Sequence, residues 1–263
     1  MSELRVQVEG IGAWTPHATG WDAFKRVFAG DPPSELPARP AATALSPNER
    51  RRAPESVLVA IEVAAQAIAA SQRAGGDLAC VFASAYGDQA TTDYMCRILA
   101  RAPAELSPTR FHNSVHNAAA GYWTIATECR APSTAMCAGL ATFGASLLEA
   151  ATQVCADHRA VLLVCSDTVG VGPLGELIGC HLAFGCAMVL APCTDQGALS
   201  LRLTTVAQAP RHSLLAPTCM KWMSENPSAA SLPLLATLAH GGGDCVLAAS
   251  DQLGLLVQTE VTA

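Results

Sequence analysis

Compact apolar runs of strand length alternate along this chain with Ala-rich stretches of helix length, and that order constrains the fold more than any other feature. Residues 78–83, 133–137, 160–165, 183–190 and 199–206 are the strand-length runs. Residues 57–70, 91–101, 113–129 and 140–156 have helical length and spacing. Such an order predicts βαβ units and a mostly parallel sheet covered on both faces. Residues 4–12 alternate Leu, Val, Val and Ile with Arg, Gln and Glu, as an opening strand does. A short helix follows over 20–30, with Trp21, Phe24, Val27 and Phe28 on one face, and then a Pro-rich loop over 31–47. Ser46-Pro47-x-Glu49 is a helix-start signal. Residues 209–233 read as irregular, and 245–250 with 253–259 as a closing hairpin around Asp251-Gln252.

Composition narrows the class. Of 263 residues 51% are apolar and 14% charged, against roughly a quarter charged in an average chain. That excludes a disordered or solvated spacer and predicts that part of the surface is buried against a partner. The net charge is −6, with 14 Arg and two Lys. Arg50-Arg51-Arg52 is the longest basic run and reads as a solvated helix start, so no nucleic-acid partner is expected. The 11 cysteines show no paired metal or disulfide spacing and sit largely inside apolar runs, as small hydrophobes in a reducing compartment do. The N-terminus has no signal-peptide core, and every apolar run is too short for a membrane span. The expectation is a soluble, cytoplasmic chain.

Several motifs carry chemistry on paper. Gly170-Val171-Gly172-Pro173-Leu174-Gly175 matches G-x-G-x-x-G after a strand, with Asp195 at about the expected distance. The helix that a dinucleotide would need is too short, so a Gly-rich surface loop is the reading adopted. Gly241-Gly242-Gly243-Asp244 lacks the Lys-Ser/Thr of a phosphate loop and is a turn. His112 and His116 stand four apart at a predicted helix start, on one face. Asn113, Ser114 and Val115 between them supply neither a third ligand nor a base, so no metal is expected. Residues 131–151 predict a strand, a tight turn and a buried helix, the architecture of a nucleophile elbow, where a helix N-terminus favours a thiolate or oxyanion. The residue at the turn is Leu140, which cannot attack anything and fills the elbow with apolar volume. Cys137, three residues earlier in the strand, is the alternative nucleophile, with His112 or His116 as base, in a free-standing acyl-transfer or hydrolytic enzyme.

The elbow segment resembles that of the β-ketoacyl synthases, G-P-S-x-x-V-x-T-A-C-A-S-G. Counted from Pro132-Ser133, the family's valine falls on Met136, its threonine on Ala138, its nucleophilic cysteine on Leu140, and its following Ser and Gly on Thr142 and Phe143. Residues 8–16 look like the family's opening V-x-T-G-I-G-V-V-T-P. Residues 108–121, with Phe111, Asn113, Asn117 and Ala120-Gly121, are similar to its interface segment. Residues 160–166 and 183–190 resemble its later A-D-x-x-x-A-G-G and G-E-G-A-A-x-L-V-L strands. The similarity runs colinearly over about residues 4–206. It implies a thiolase-like layered fold: an N-terminal ketosynthase domain over 1–206, a truncated C-terminal half, and residues 207–263 packed on the same core. The family's second half supplies two catalytic histidines, and none is carried over here, because His240-Gly241-Gly242 departs from their motif at Gly243-Asp244. Among family members the chain is similar to the chain-length-factor subunit of type II polyketide pathways, in the short form of aryl polyene clusters, through Phe-His-Asn-Ser-Val-His-Asn-Ala-Ala-Ala-Gly-Tyr-Trp at 111–123. The resemblance implies a subunit that is no enzyme by itself and carries no cofactor. It would pair with an active ketosynthase as a heterodimer or heterotetramer, meet the acyl carrier protein only indirectly, and wall an acyl tunnel. Phe111, His112, Val115, His116, Tyr94, Met95 and Leu140 are the candidate tunnel and interface residues, on a face around 111–137.

Overall fold

The computed structural model describes residues 3–193, 199–207 and 215–261. Nine strands form one sheet: β1 (Leu4–Thr15), β2 (Ala18–Thr19), β3 (Ala79–Ala83), β4 (Ser133–Met136), β5 (Val161–Asp167), β6 (Phe184–Pro192), β7 (Leu199–Val206), β8 (Gly243–Ala248) and β9 (Gly254–Val261). The spatial order is β4-β3-β5-β6-β1-β7-β9-β8, with β2 paired to β1. The helices are α1 (Trp21–Phe28), α2 (Pro47–Arg52), α3 (Glu55–Ser71), α4 (Gln89–Arg101), α5 (Pro108–His112), α6 (Ala118–Ala126), α7 (Thr142–Asp157), α8 (Gly172–Ile178), α9 (Pro217–Glu225) and α10 (Leu232–Ala239).

Alternate strand residues feed two cores, as a period of two requires. Val81, Leu163, Cys165, Cys186 and Met188 pack beneath α7. Cys80, Phe82, Leu162, Val164 and Val189 pack with α3 and α6 on the opposite face. The layered α/β architecture is therefore as expected, but the sheet is not mostly parallel. Only β3 pairs in parallel, with β4 and β5; β5–β6, β6–β1, β1–β7, β7–β9 and β8–β9 are antiparallel. The reason is helix length. At 1.5 Å per residue, seven-residue α8 spans about 10 Å, whereas seven-residue β5, at about 3.3 Å per residue, spans about 23 Å. No helix of this link is long enough to return along the sheet, and the chain re-enters from the same end as β6.

Three further expectations change. Ser46 and Glu49 do form a reciprocal cap, but the helix that they start is the short α2; the helix expected over 57–70 is α3, which begins separately after Pro54. Residues 113–129 are not one helix. Asn113 is buried, accepts from the Tyr122 hydroxyl at 3.2 Å and donates to the Arg52 carbonyl at 3.5 Å, and the chain turns there before α6 begins. The part of 209–233 that is described holds α9, a 3₁₀ turn (Pro227–Ser231) and the start of α10, stabilised by burial of Cys219, Trp222 and Leu232. Asp195 lies outside the described residues. The glycine-rich stretch 170–175 closes on itself: a Cβ added to Gly175 would sit 2.4 Å from the Gly170 carbonyl carbon.

Candidate functional site

Strands β4, β3 and β5 run parallel, with Met136 and Cys165 both level with Ala83. The segments leaving them, 84–88, 137–141 and 168–171, therefore meet at one end of the sheet, where α/β proteins build sites.

After β4 comes the elbow. Gly139 takes φ +54° and opens a 3₁₀ turn (Gly139–Ala141) that leads into α7. The buried Thr142 hydroxyl donates to the Gly139 carbonyl at 2.7 Å and accepts from the Ala138 N–H at 2.9 Å. The turn is thereby closed from beneath, and Leu140 at its tip is 70% exposed. It does not fill the elbow; it stands outside it. Helix N-termini favour a thiolate, but a leucine offers neither nucleophile nor charge. Cys137 is also displaced from its expected place: it follows the last residue of β4 and is exposed, not within the strand. Among the described residues neither His112 nor His116 hydrogen-bonds to it.

β4 is an edge strand, pairing only with β3 among the described residues. Unpaired edges are sites for another chain to add. Of the exposed large apolar side chains, Leu140 stands on the elbow turn and Val115 lines a cleft with Ser84, Tyr86 and Gly87 at this end of the sheet; Phe111, Ile125 and, on α8, Leu174 and Leu177 are exposed as well.

The two histidines do not share a face. His112 ends α5, whereas His116 lies in the turn before α6. His116 lines a cleft of ≈ 140 Å³ with Ser56, Ser84, Tyr86, Asp88 and Asn113. His112 lines a groove of ≈ 550 Å³ with Arg52, Tyr122 and Ile125. Val115 and Ala118 touch both. Tyr94 ties α4 to α5: its hydroxyl accepts from the Ser107 N–H at 3.2 Å and its ring lies 4.3 Å from the Arg110 guanidinium carbon. Phe111 and half-buried Met95 line neither space. Among the described residues no group of three or more His, Cys, Asp or Glu could hold a metal ion.

A buried polar cluster completes the site. Asp167, the last residue of β5, is 3% exposed. Its carboxylate accepts from the Ser84 hydroxyl at 2.7 Å, the Ala85 N–H at 3.0 Å, the Tyr86 N–H at 3.4 Å and the Ser228 hydroxyl at 2.6 Å. Asn226 donates to the Asp167 carbonyl at 2.9 Å and the Leu182 carbonyl at 2.7 Å. Burial raises the Asp167 pKa and the hydrogen bonds partly offset it. The sequence reading missed this cluster, although an acid closing a strand that is apolar but for Ser166 is its signal: buried carboxylates need partners.

An elbow at the end of a parallel strand trio, in a sheet covered by helices on both faces, agrees with the thiolase-like ketosynthase fold that the resemblance implies, and the comparisons bear that fold out. The chain belongs to the β-ketoacyl synthase family: the profile of the beta-ketoacyl synthase N-terminal domain matches residues 21–252. No curated protein sequence matches the chain. Among the solved structures that share its fold are these three. One is the ketosynthase ApeO in complex with its chain length factor ApeC from Xenorhabdus doucetiae, with 23% identity, TM-score 0.70, and 97% of this chain and 99% of that chain covered. A second is the AntDE:AntF complex of a type II polyketide acyl-carrier protein with its ketosynthase, with 12% identity, TM-score 0.72, and 98% and 99% covered. The third is the ishigamide ketosynthase/chain length factor, with 12% identity, TM-score 0.71, and 99% and 100% covered. No helix among the described residues is long and apolar enough to cross a membrane.

Proposed function

We propose that this chain is a non-catalytic chain-length-factor subunit that pairs with an active β-ketoacyl-ACP synthase and stabilises it. In this reading it walls the acyl tunnel in a type II polyketide or fatty-acid-like pathway, of the aryl polyene kind. The observation that carries the reading is Leu140: the elbow keeps its turn and helix, yet presents a hydrocarbon where the resemblance places a thiol. The open β4 edge and the apolar residues around it supply a face for the partner, and the cleft beside His116 supplies a wall of the tunnel. A dry, bounded acyl path needs apolar walls more than a second reaction centre. Two of the similar structures are named as ketosynthases with a chain length factor, and another holds a carrier protein. Contact of this chain with the carrier is read as indirect, through the ketosynthase.

Affinity capture of the tagged chain from its own cell, followed by native mass measurement, tests this reading. A ketosynthase heterodimer or heterotetramer is expected, and condensation of an acyl-carrier-bound substrate only by the complex. A purified chain that condenses alone would overturn it. The exposure of Cys137 keeps one competitor, an enzyme using that thiol. Fast, pH-shifted labelling of Cys137 in the free chain would favour the competitor; ordinary thiol kinetics would dismiss it.

A further inference from the structure

We infer that Asp167 is a positioning residue that sets the Leu140 turn and the cleft beside His116 in one fixed relation. Its carboxylate gathers Ser84, Ala85 and Tyr86, the segment just past β3, whose Ser84, Tyr86 and Gly87 line the cleft. Ser84 extends the same tie to Gly87, whose N–H it accepts at 2.9 Å. A Cβ added to Gly87 would lie 3.9 Å from the His116 ring, so this segment is the wall that faces His116. On the other side the carboxylate holds Ser228, in the 3₁₀ turn Pro227–Ser231. That turn packs directly against the turn that presents Leu140, and against α7 behind it. Asn226 locks the same turn to the backbone at both ends of the link between β5 and β6. A carboxylate offers about four acceptor sites in fixed directions, and a buried one left short of donors is costly. Moving the segment past β3 or the Pro227–Ser231 turn would strip donors from it. One buried side chain therefore couples two surfaces that belong to different crossovers.

The inference is tested on the free chain and, resting on the reading above, on its complex. Ser228→Ala cuts the tie on the elbow side, Ser84→Ala on the cleft side, and Asp167→Asn keeps the shape while replacing an acceptor by a donor. In hydrogen exchange on the free chain, Ser228→Ala is expected to speed exchange at Ala85 and Tyr86, across the carboxylate, at least tenfold. Ala138 and Ala141, whose N–H groups are held within the Leu140 turn, are expected to follow, with β1 and β6 unchanged. Exchange altered only next to Ser228 would overturn the coupling. Should Asp167→Asn fail to fold, the two serine variants carry the same test. In the assembled ketosynthase complex, either serine variant is expected to broaden the distribution of product chain lengths at unchanged complex mass. An unchanged distribution, with exchange altered, would reduce Asp167 to a structural role. Absence of any ketosynthase partner for the wild-type chain would sink the proposed function, while the exchange result would still decide the coupling.

Discussion

At the scale of single residues, the two that matter most differ in how visible they were. Leu140 was legible because a strand–turn–helix pattern marks its position, and any residue there is compared with a nucleophile. Asp167 was not, because hydrogen bonds to Ser84 and Ser228 depend on contacts 83 and 61 residues away along the chain. Its raised pKa has a definite consequence. The folded chain holds the Asp167 proton more tightly than the unfolded chain does. Its contribution to stability is therefore greatest below the ordinary carboxylate range and declines as pH rises through the raised value. Urea unfolding of wild type and Asp167→Asn, at pH 7 and pH 4.5, should show the wild type gaining on the variant as pH falls; a gap moving the other way would refute the assignment. Leu140→Cys addresses the elbow. An exposed substitution away from packing changes stability by less than about 0.5 kcal/mol, so the variant should fold as wild type does. It is still expected to show no condensation alone, since no histidine base is assigned in this chain; measurable ketoacyl product in a carrier-protein assay would contradict this.

At the scale of elements, existence was more legible than orientation. β7 begins and ends where the alternation places it, at Leu199 and Val206. Strand direction was hidden because β5 and β6 are covered on both faces, so their residues are almost uniformly apolar whichever way they run. The late start of α6 was hidden too, since Asn113 turns the chain through partners on other elements. The packing of α3 on β1 explains two glycines. A Cβ added at Gly10 would lie 2.1 Å from the Ala67 carbonyl oxygen, and one at Gly12 2.1 Å from that of Val63. Helix and strand backbones touch there, with no room for a methyl group. Gly12→Ala should cost about 3 kcal/mol, the upper end of ordinary overpacking, read as a lower urea midpoint at unchanged slope. A variant as stable as wild type would mean that α3 can lift from the sheet. By contrast, the Arg73–Glu9 pair that ties the chain just past α3 to β1 is partly exposed on the arginine side, and Glu9 keeps a bond from Gln7, so Arg73→Ala should cost only about 1 kcal/mol. Arg73 holds the Glu9 pKa down, so that contribution is present at neutral pH and fades as acid protonates Glu9.

At the scale of the whole molecule, the scarcity of charge and the surplus of cysteine meet in one experiment. Seven of the 11 cysteines are buried, and burial pushes the thiols of Cys180, Cys186 and Cys245 up to about 12. These cannot supply thiolate at neutral pH. Cys96, Cys137 and Cys193 are exposed and should be labelled by a thiol reagent at the ordinary rate of an accessible thiol in the free native chain, with Cys193 slowed by the burial that raises its pKa. They sit in different places: Cys137 beside the β4 edge and the Leu140 turn, Cys193 just beyond the end of β6. If the β4 edge is the partner face, association should protect Cys137 by tenfold or more in labelling rate and leave Cys193 at its free rate. Leu140→Glu supplies the control. A carboxylate at an exposed position leaves the chain folded, but buried at an apolar interface it meets a desolvation penalty with no partner charge to offset it. The variant should lose the complex in native mass measurement and return Cys137 to its free-chain labelling rate in the mixture. Protection of Cys193 with Cys137 still reactive would place the partner at the other end of the sheet. The open edge and its apolar surroundings would then need a different occupant.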